Sequence, residues 1–253
     1  MPRLTLEKYL QSAALQDLLR QLGAENVDFL VKEITHFTRR EAERRDKIVL
    51  GYFGKAGINR IVDSIVTRLN SSPKLKPNAR ILDAGAGSGF FTVKIASEAK
   101  TIVPKAKFFA MDATPAMLLA LEKKRESIIP FFGIAENIYG SIKAARSYAV
   151  LPERFDAVFS TLMLHHCPDI SKVFRSIRQV LKAPGKAVIV DMCTHPFAEF
   201  RQEMGDVHLG FDPDQIEKAA EKVFSKVAVE KLPGICCQDS GRSAELFVAT
   251  LKP

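Results

Sequence analysis

The segment Asp83-Ala84-Gly85-Ala86-Gly87-Ser88-Gly89 holds the densest set of chemically suggestive residues in the chain. Glycines let a backbone turn sharply and let a ligand lie directly against the main chain. Their spacing is G-x-G-x-G, whereas the dinucleotide fingerprint G-x-G-x-x-G needs a glycine where Phe90 stands. That fingerprint sets a pyrophosphate on a helix N-terminus. The carboxylate of Asp83, just ahead of the glycines, would repel a phosphate and attract an ammonium group. A second acid, Asp112, ends the run Phe108-Phe109-Ala110-Met111-Asp112, where a carboxylate can accept from both hydroxyls of a ribose. Either acid alone is an ordinary helix cap. Together, each at the end of a predicted strand, they suit a ligand that presents ribose hydroxyls and an ammonium group.

The histidines come next. His165 and His166 follow the apolar run Phe155-Asp156-Ala157-Val158-Phe159, at the predicted mouth of the same pocket. Imidazole titrates near neutrality, so both are general-base candidates. A packing or helix-start role competes with that reading for each of them. Asp169 reads as a cap for the following helix. His195 and His208 are candidates for lining a second substrate. Asp191, His195, Asp206 and His208 are too unevenly spaced to form a metal motif, so no metal is expected. Cys167, Cys193, Cys236 and Cys237 form no Cys-x-x-Cys pair and read as reduced thiols. The adjacent Cys236 and Cys237 invite a soft-metalloid site or are incidental.

These residues must be positioned by regular elements, and the chain supplies them. From residue 79 short apolar runs alternate with helical stretches: ARILDA, KFFAMDA, SIIPFFG, FDAVFS and KAVIVDM are each followed by or linked through a helix. That order predicts βαβ units around a parallel sheet, an α/β doubly wound fold. SKVAVEKL and AELFVATL, joined by a turn region, predict an antiparallel pair closing the sheet. Ahead of this, Leu4, Tyr9, Leu10 and Leu18, then Val27, Leu30, Val31, Ile34 and Phe37, recur at helical spacing, with Gly23 as the break. The charged stretch FTRREAERRDKI predicts a helix that ends exposed or lies across another surface. A further helix is expected from about Gly57 to Asn70.

From about Ala79 to Asp191 the chain resembles the class I S-adenosylmethionine-dependent methyltransferases, especially the small-molecule group that includes the ubiquinone and menaquinone enzymes. The resemblance implies a seven-stranded, mostly parallel, Rossmann-like sheet. It implies that Asp83, Gly85, Ala86, Gly87 and Gly89 surround the methionine end, that Asp112 binds the ribose, and that Ala113 and Met117 flank the adenine. Gly133-Ile134-Ala135-Glu136 matches the family's adenine segment, with Ile134 in place of the usual acid, which leaves apolar contact there. Thr161 and Leu162 fall in the segment that faces the transferable methyl. Beyond Asp191 the chain is similar to methyltransferase domains associated with arsenic-responsive regulators, through His195 and Leu209-Gly210-Phe211. It departs from them at Asp206-Val207-His208, where they carry His-x-Trp.

The 253 residues allow one catalytic domain with a helical extension, expected at 55–253 and 1–54 respectively. The extension is expected to act as a lid, bent at Gly51, Gly54 and Gly57, with Tyr52 and Phe53 either closing over a sulfonium or anchoring the extension to the sheet. No apolar run is long enough to span a bilayer and no secretory pattern opens the chain, so a cytoplasmic protein is expected. Of the net +8, residues 1–76 contribute 14 Lys/Arg against 9 Asp/Glu, an interleaving typical of solvated helix faces. A small-molecule methyl acceptor is therefore the leading expectation. An RNA or protein acceptor docked on the basic helices is the alternative, although Ser160-Thr161-Leu162-Met163 stands where enzymes acting on planar amino groups carry Asn-Pro-Pro-Tyr. A non-catalytic, cofactor-binding regulator is the third possibility.

Overall fold

The computed structural model describes residues 4–124, 126–203, 205–239 and 242–253. Helices α1 (Leu6–Leu10), α2 (Leu15–Gln21), α3 (Val27–His36) and α4 (Arg39–Leu69) precede the sheet. The long α4 begins with a reciprocal cap: the Glu41 N–H donates to the Thr38 hydroxyl at 3.3 Å, and the Thr38 N–H donates to the Glu41 carboxylate at 2.7 Å. Gly54 adopts φ 59°, ψ 173° and kinks the helix midway. The two helical stretches expected on either side of residue 54 are thus present, meeting at this kink within α4.

The alternating segment forms β1 (Arg80–Ala84), α5 (Phe90–Lys100), β2 (Lys107–Asp112), α6 (Pro115–Glu122), β3 (Ile128–Phe132), α7 (Ile138–Ala145), β4 (Phe155–Thr161), α8 (Ile170–Val180) and β5 (Leu181–Met192). Then come α9 (Phe200–Glu203), α10 (Pro213–Glu221), β6 (Lys226–Asp239) and β7 (Arg242–Lys252). The sheet order is β3-β2-β1-β4-β5-β7-β6, with β1 to β5 parallel and β7 antiparallel to both its neighbours. This is the expected seven-stranded doubly wound fold. The strand order reverses between β1 and β4, the place where such sheets open a crevice at the carboxyl ends of their strands.

Period-two alternation divides the core. Leu82, Phe109, Met111 and Val158 face one side of the sheet, and Ile81, Phe108, Phe159 and Val190 the other, all buried. The N-terminal helices serve both sides. Leu6, Tyr9, Leu18, Leu19 and Leu22 join the first layer, while Ile58, Ile61, Ile65 and Leu69 of α4 join the second. Between them, α3 and the first half of α4 pass over the carboxyl ends of the strands. The charged stretch therefore crosses the crevice, which gives a reason for its lack of an apolar stripe.

The far end of α4 is fastened to β5 by Lys186, a fully buried lysine whose ammonium donates to the carbonyls of Arg68 (3.2 Å), Leu69 (3.0 Å) and Ser71. Burial lowers its pKa to about 8. Cys236 and Cys237 enter as backbone of β6, opposite Glu245 and Ala244, and their side chains lie outside the described set. Among the described residues no helix is long and apolar enough to cross a membrane.

Candidate functional site

The loop after β1 is bound back to the neighbouring strand, since the N–H groups of Gly85 and Ala86 both donate to the Met111 carbonyl, at 2.8 and 2.9 Å. Gly85 has φ 79°, and a Cβ built on it would lie 2.1 Å from Cγ of Met163. Gly87 has φ 53°, yet a Cβ there would meet nothing within 4 Å. The first glycine is required by packing inside the protein. The second leaves its surroundings open, as a main chain does where a ligand is to approach.

Asp112, at the end of β2, holds this loop in place. One carboxylate oxygen accepts the Gly87 N–H at 2.7 Å and the other the Thr114 N–H at 2.8 Å. Burial raises its pKa, opposed by those two N–H groups and by the positive charge of Arg45. Asp83 lies beneath the loop and accepts the Thr92 hydroxyl at 2.6 Å, while its other oxygen is buried with no hydrogen-bond partner. Burial pushes Asp83 up to about 7, offset in part by Thr92. Asp83 is 2% exposed and stands behind the glycine loop, not among the residues that line the cavity at the strand ends.

One cavity runs along the strand ends. Its walls are Gly85 and Gly87; Met111 to Thr114 with Met117; Gly133 to Glu136; and Leu162, Met163, His166 and Cys167. Its roof comes from the N-terminal helices, through Leu30, Glu33, Ile34, Phe37 and Arg45. Arg45 sits over the Phe37 ring, 5.5 Å from its centroid. Alongside, the Ser88 hydroxyl donates to Asp46 of α4 at 2.8 Å, and Lys124 pairs with the other oxygen of Asp46 at 2.7 Å. The roof is thus tied directly to the glycine loop.

Of the residues singled out from the sequence, the cavity gathers Gly85, Gly87, Asp112, Ala113, Met117, Ala135, Glu136, Leu162 and His166. Leu162 has φ 56°, a left-handed backbone that is rare for a branched side chain and marks the end of β4. The remaining candidates stand behind or beside this wall. Gly89 caps α5, Ala86 packs into the second core layer, and the Thr161 hydroxyl is buried without a partner. Tyr52 is not at the cavity: it packs against the second core layer, and Phe53 meets Phe91 edge-on at 6.5 Å. The anchoring alternative describes that pair, and Phe37 is the ring that faces the cavity from this segment. Its spacing from Leu30 and Ile34 is that of one helical face. Arg45 stood unmarked among neighbouring charges, and Met163 and Cys167 had no spacing signal.

At the far end of the cavity lies a polar cluster assembled from the turn after β4, the end of β5 and the segment that follows β5. His165, buried in the 3₁₀ turn after β4, donates from Nδ1 to Asp191 of β5 at 2.6 Å. Asp191 also accepts the N–H groups of Leu164 (2.7 Å) and Met192 (2.8 Å). The other ring nitrogen of His165, Nε2, lies 3.6 Å from Asp206. Burial works against a charged His165, but the Asp191 carboxylate outweighs it and the net pKa is raised. Asp206 is 4% exposed with neither carboxylate oxygen hydrogen-bonded, and burial raises it to about 6. His166 turns Nδ1 toward the Gly205 carbonyl at 3.1 Å. His208 does not reach the cavity; its Nε2 meets the Cys167 carbonyl at 3.0 Å, and its N–H donates to the His165 carbonyl at 3.0 Å. His195 is buried between Phe197 (5.4 Å) and Phe200 (5.1 Å), with both ring nitrogens unpartnered, and burial lowers its pKa.

Comparison with known proteins meets the geometry at this point. A family profile described as a methyltransferase domain matches residues 75–236. A highly reducing polyketide synthase of Gibberella zeae is 25% identical over 149 residues, 58% of this chain and 6% of the synthase. The ubiquinone/menaquinone biosynthesis C-methyltransferase of Rickettsia peacockii is 27% identical over 114 residues, 45% of this chain and 44% of that one. The aligned stretch is thus less than half of either relative. Among solved structures, Haemonchus contortus phosphoethanolamine N-methyltransferase 2 in complex with S-adenosyl-L-methionine aligns with TM-score 0.60 at 19% identity, over 95% of this chain and 60% of that one. The CurJ carbon methyltransferase aligns with TM-score 0.62 at 15% identity, over 96% and 71%. At these identities the structural likeness concerns the fold.

Proposed function

This chain belongs to the methyltransferase domain family, and on that premise we propose that it transfers a methyl group from S-adenosylmethionine to a small-molecule acceptor. The observation that carries this reading is the cavity at the strand ends, with an open glycine loop and Asp112 at one end and His166 at the other. When bound, the sulfonium supplies an already activated methyl, so alignment and exclusion of water carry much of the rate.

The residues fit such a donor. Asp112 keeps lone pairs for ribose hydroxyls beyond those accepting Gly87 and Thr114. Met117, Ile134 and Ala135 offer an apolar slot for the adenine. Phe37, in the roof, offers an aromatic face to a sulfonium. Met163, packed against Gly85, and His166 mark the side from which an acceptor would approach for in-line displacement. In this reading α3 and the start of α4 are a lid that the donor closes. An acceptor small enough to sit beneath such a roof explains why a cavity, rather than an open face, meets the strand ends.

Two measurements test the reading. Incubation with S-adenosylmethionine and pooled small thiols, phenols and amines is expected to yield S-adenosylhomocysteine and one methylated product by mass spectrometry. Turnover only with RNA or protein would reject the small acceptor. Hydrogen exchange of residues 27–45 is expected to slow when the donor is added, and unchanged exchange would reject the lid.

A further inference from the structure

We infer that His165, His166 and Asp206 form a binding site for a first-row divalent cation of the zinc class, at the acceptor end of the cavity. One donor atom from each residue lies within 4.8 Å of the other two. Bonds of about 2.1 Å separate neighbouring ligands by roughly 3.4 Å, so the existing 3.6 Å between His165 Nε2 and Asp206 already has the right span.

Three independent features suit a metal. Asp206 is almost fully buried and neither oxygen has a hydrogen-bond partner, an expensive arrangement for a carboxylate unless a cation meets it. Both histidines direct Nδ1 to an oxygen acceptor, Asp191 for His165 and the Gly205 carbonyl for His166. Those contacts fix the tautomer that keeps the lone pair on Nε2, and they are the outer-shell partners that metal-bound histidines ordinarily have. Finally, two imidazoles and one carboxylate favour zinc, iron, cobalt or nickel over magnesium or calcium, whose preferred ligands are oxygens.

Three protein ligands leave a coordination position open, the pattern of catalytic rather than structural zinc. His166 also lines the cavity, so the cation would border the space assigned to the acceptor. The consequence for chemistry rests on the methyl-transfer reading; the binding site does not. A hydroxyl or thiol on the metal gives up its proton to solvent more readily. Its lone pair then forms the bond to the methyl carbon as the carbon–sulfur bond breaks and that pair stays on sulfur.

The test uses the full chain, stripped with a chelator and titrated with Co²⁺ alone, then with Zn²⁺ in competition. The expected result is one equivalent of Co²⁺ with the visible bands of a low-coordinate ion, displaced by Zn²⁺. Asp206→Asn and His166→Gln should each abolish that spectrum while the circular dichroism and cooperative thermal melt of the unmodified chain are kept, which shows that the variants are folded. Asp191→Asn should weaken Zn²⁺ about 10- to 100-fold by freeing the His165 ring. Failure to bind Co²⁺ or Zn²⁺ would overturn the site, and so would binding that persists in Asp206→Asn, which would put the ion elsewhere. If no metal binds but methyl transfer proceeds, the site fails and the methyltransferase reading stands.

Discussion

Alanine placed at Gly85 and at Gly87 should separate packing from ligand approach within a single loop. Both glycines have a left-handed backbone, φ 79° and 53°, which costs an alanine about 1 kcal/mol or somewhat more. At Gly85 the new methyl would lie 2.1 Å from Cγ and 2.6 Å from Cβ of Met163, near the root of that side chain. Overpacking of this kind adds about 1–3 kcal/mol, so Gly85→Ala should lose roughly 2–5 kcal/mol in all. For a chain of this size that lowers Tm on the order of 10 °C. At Gly87 no protein atom lies within 4 Å of the added methyl, so only the backbone term remains, with a fall of about 2–4 °C. Its effect should appear instead in binding, since the methyl enters the space kept for the donor. A tenfold or greater loss of affinity, about 1.4 kcal/mol, is expected. Thermal melts and calorimetry with S-adenosylhomocysteine measure the two quantities. If Gly87→Ala bound the ligand as well as the unmodified chain, or were as unstable as Gly85→Ala, the division of roles would be refuted.

Asp112→Ala should weaken S-adenosylhomocysteine by about 1.5–3 kcal/mol in calorimetry, through lost ribose hydrogen bonds and a loosened Gly87 loop; unchanged affinity would mean that the ribose is held elsewhere. Asp83 has a folded pKa raised to about 7, so its protonated form contributes stability that is full below the unfolded value near 4 and is lost as pH rises through 7. Urea midpoints of the ligand-free protein should fall across that window, and Asp83→Asn should flatten this slope; an identical slope in the variant would locate the effect in another group. Lys186→Met leaves the last carbonyls of α4 without their ammonium donor and should cost about 1–3 kcal/mol in urea unfolding while leaving ligand affinity unchanged; a matching drop in affinity would show that this end of α4 governs the cavity.

The strand-end wall of the cavity was readable because each of its residues ends or follows a strand. Gly85, Gly87 and Asp112 announce themselves by residue type, whereas Ala113, Met117, Ala135, Glu136 and Leu162 came from the family resemblance, and the fold sets them after β2, β3 and β4. The roof was readable only as an amphipathic helix: Leu30, Ile34 and Phe37 share a face, but period alone does not say whether a face meets a core or a cavity. Tyr52 stayed out of the cavity because its stretch of α4 turns toward the second core layer, where Phe53 meets Phe91. The polar cluster left no local pattern. His165 and Asp206 are 41 positions apart, and the loop after β5 brings them together. His165, for which a base role and a packing role both stood open, lies between the carboxylates of Asp191 and Asp206.

Calorimetric titration of the full chain with S-adenosylmethionine, beside a parallel titration with a nicotinamide dinucleotide, tests the central reading most directly. One equivalent of S-adenosylmethionine should bind with a dissociation constant in the micromolar range, with no heat from the dinucleotide. Binding of the dinucleotide in the absence of any response to S-adenosylmethionine would contradict it.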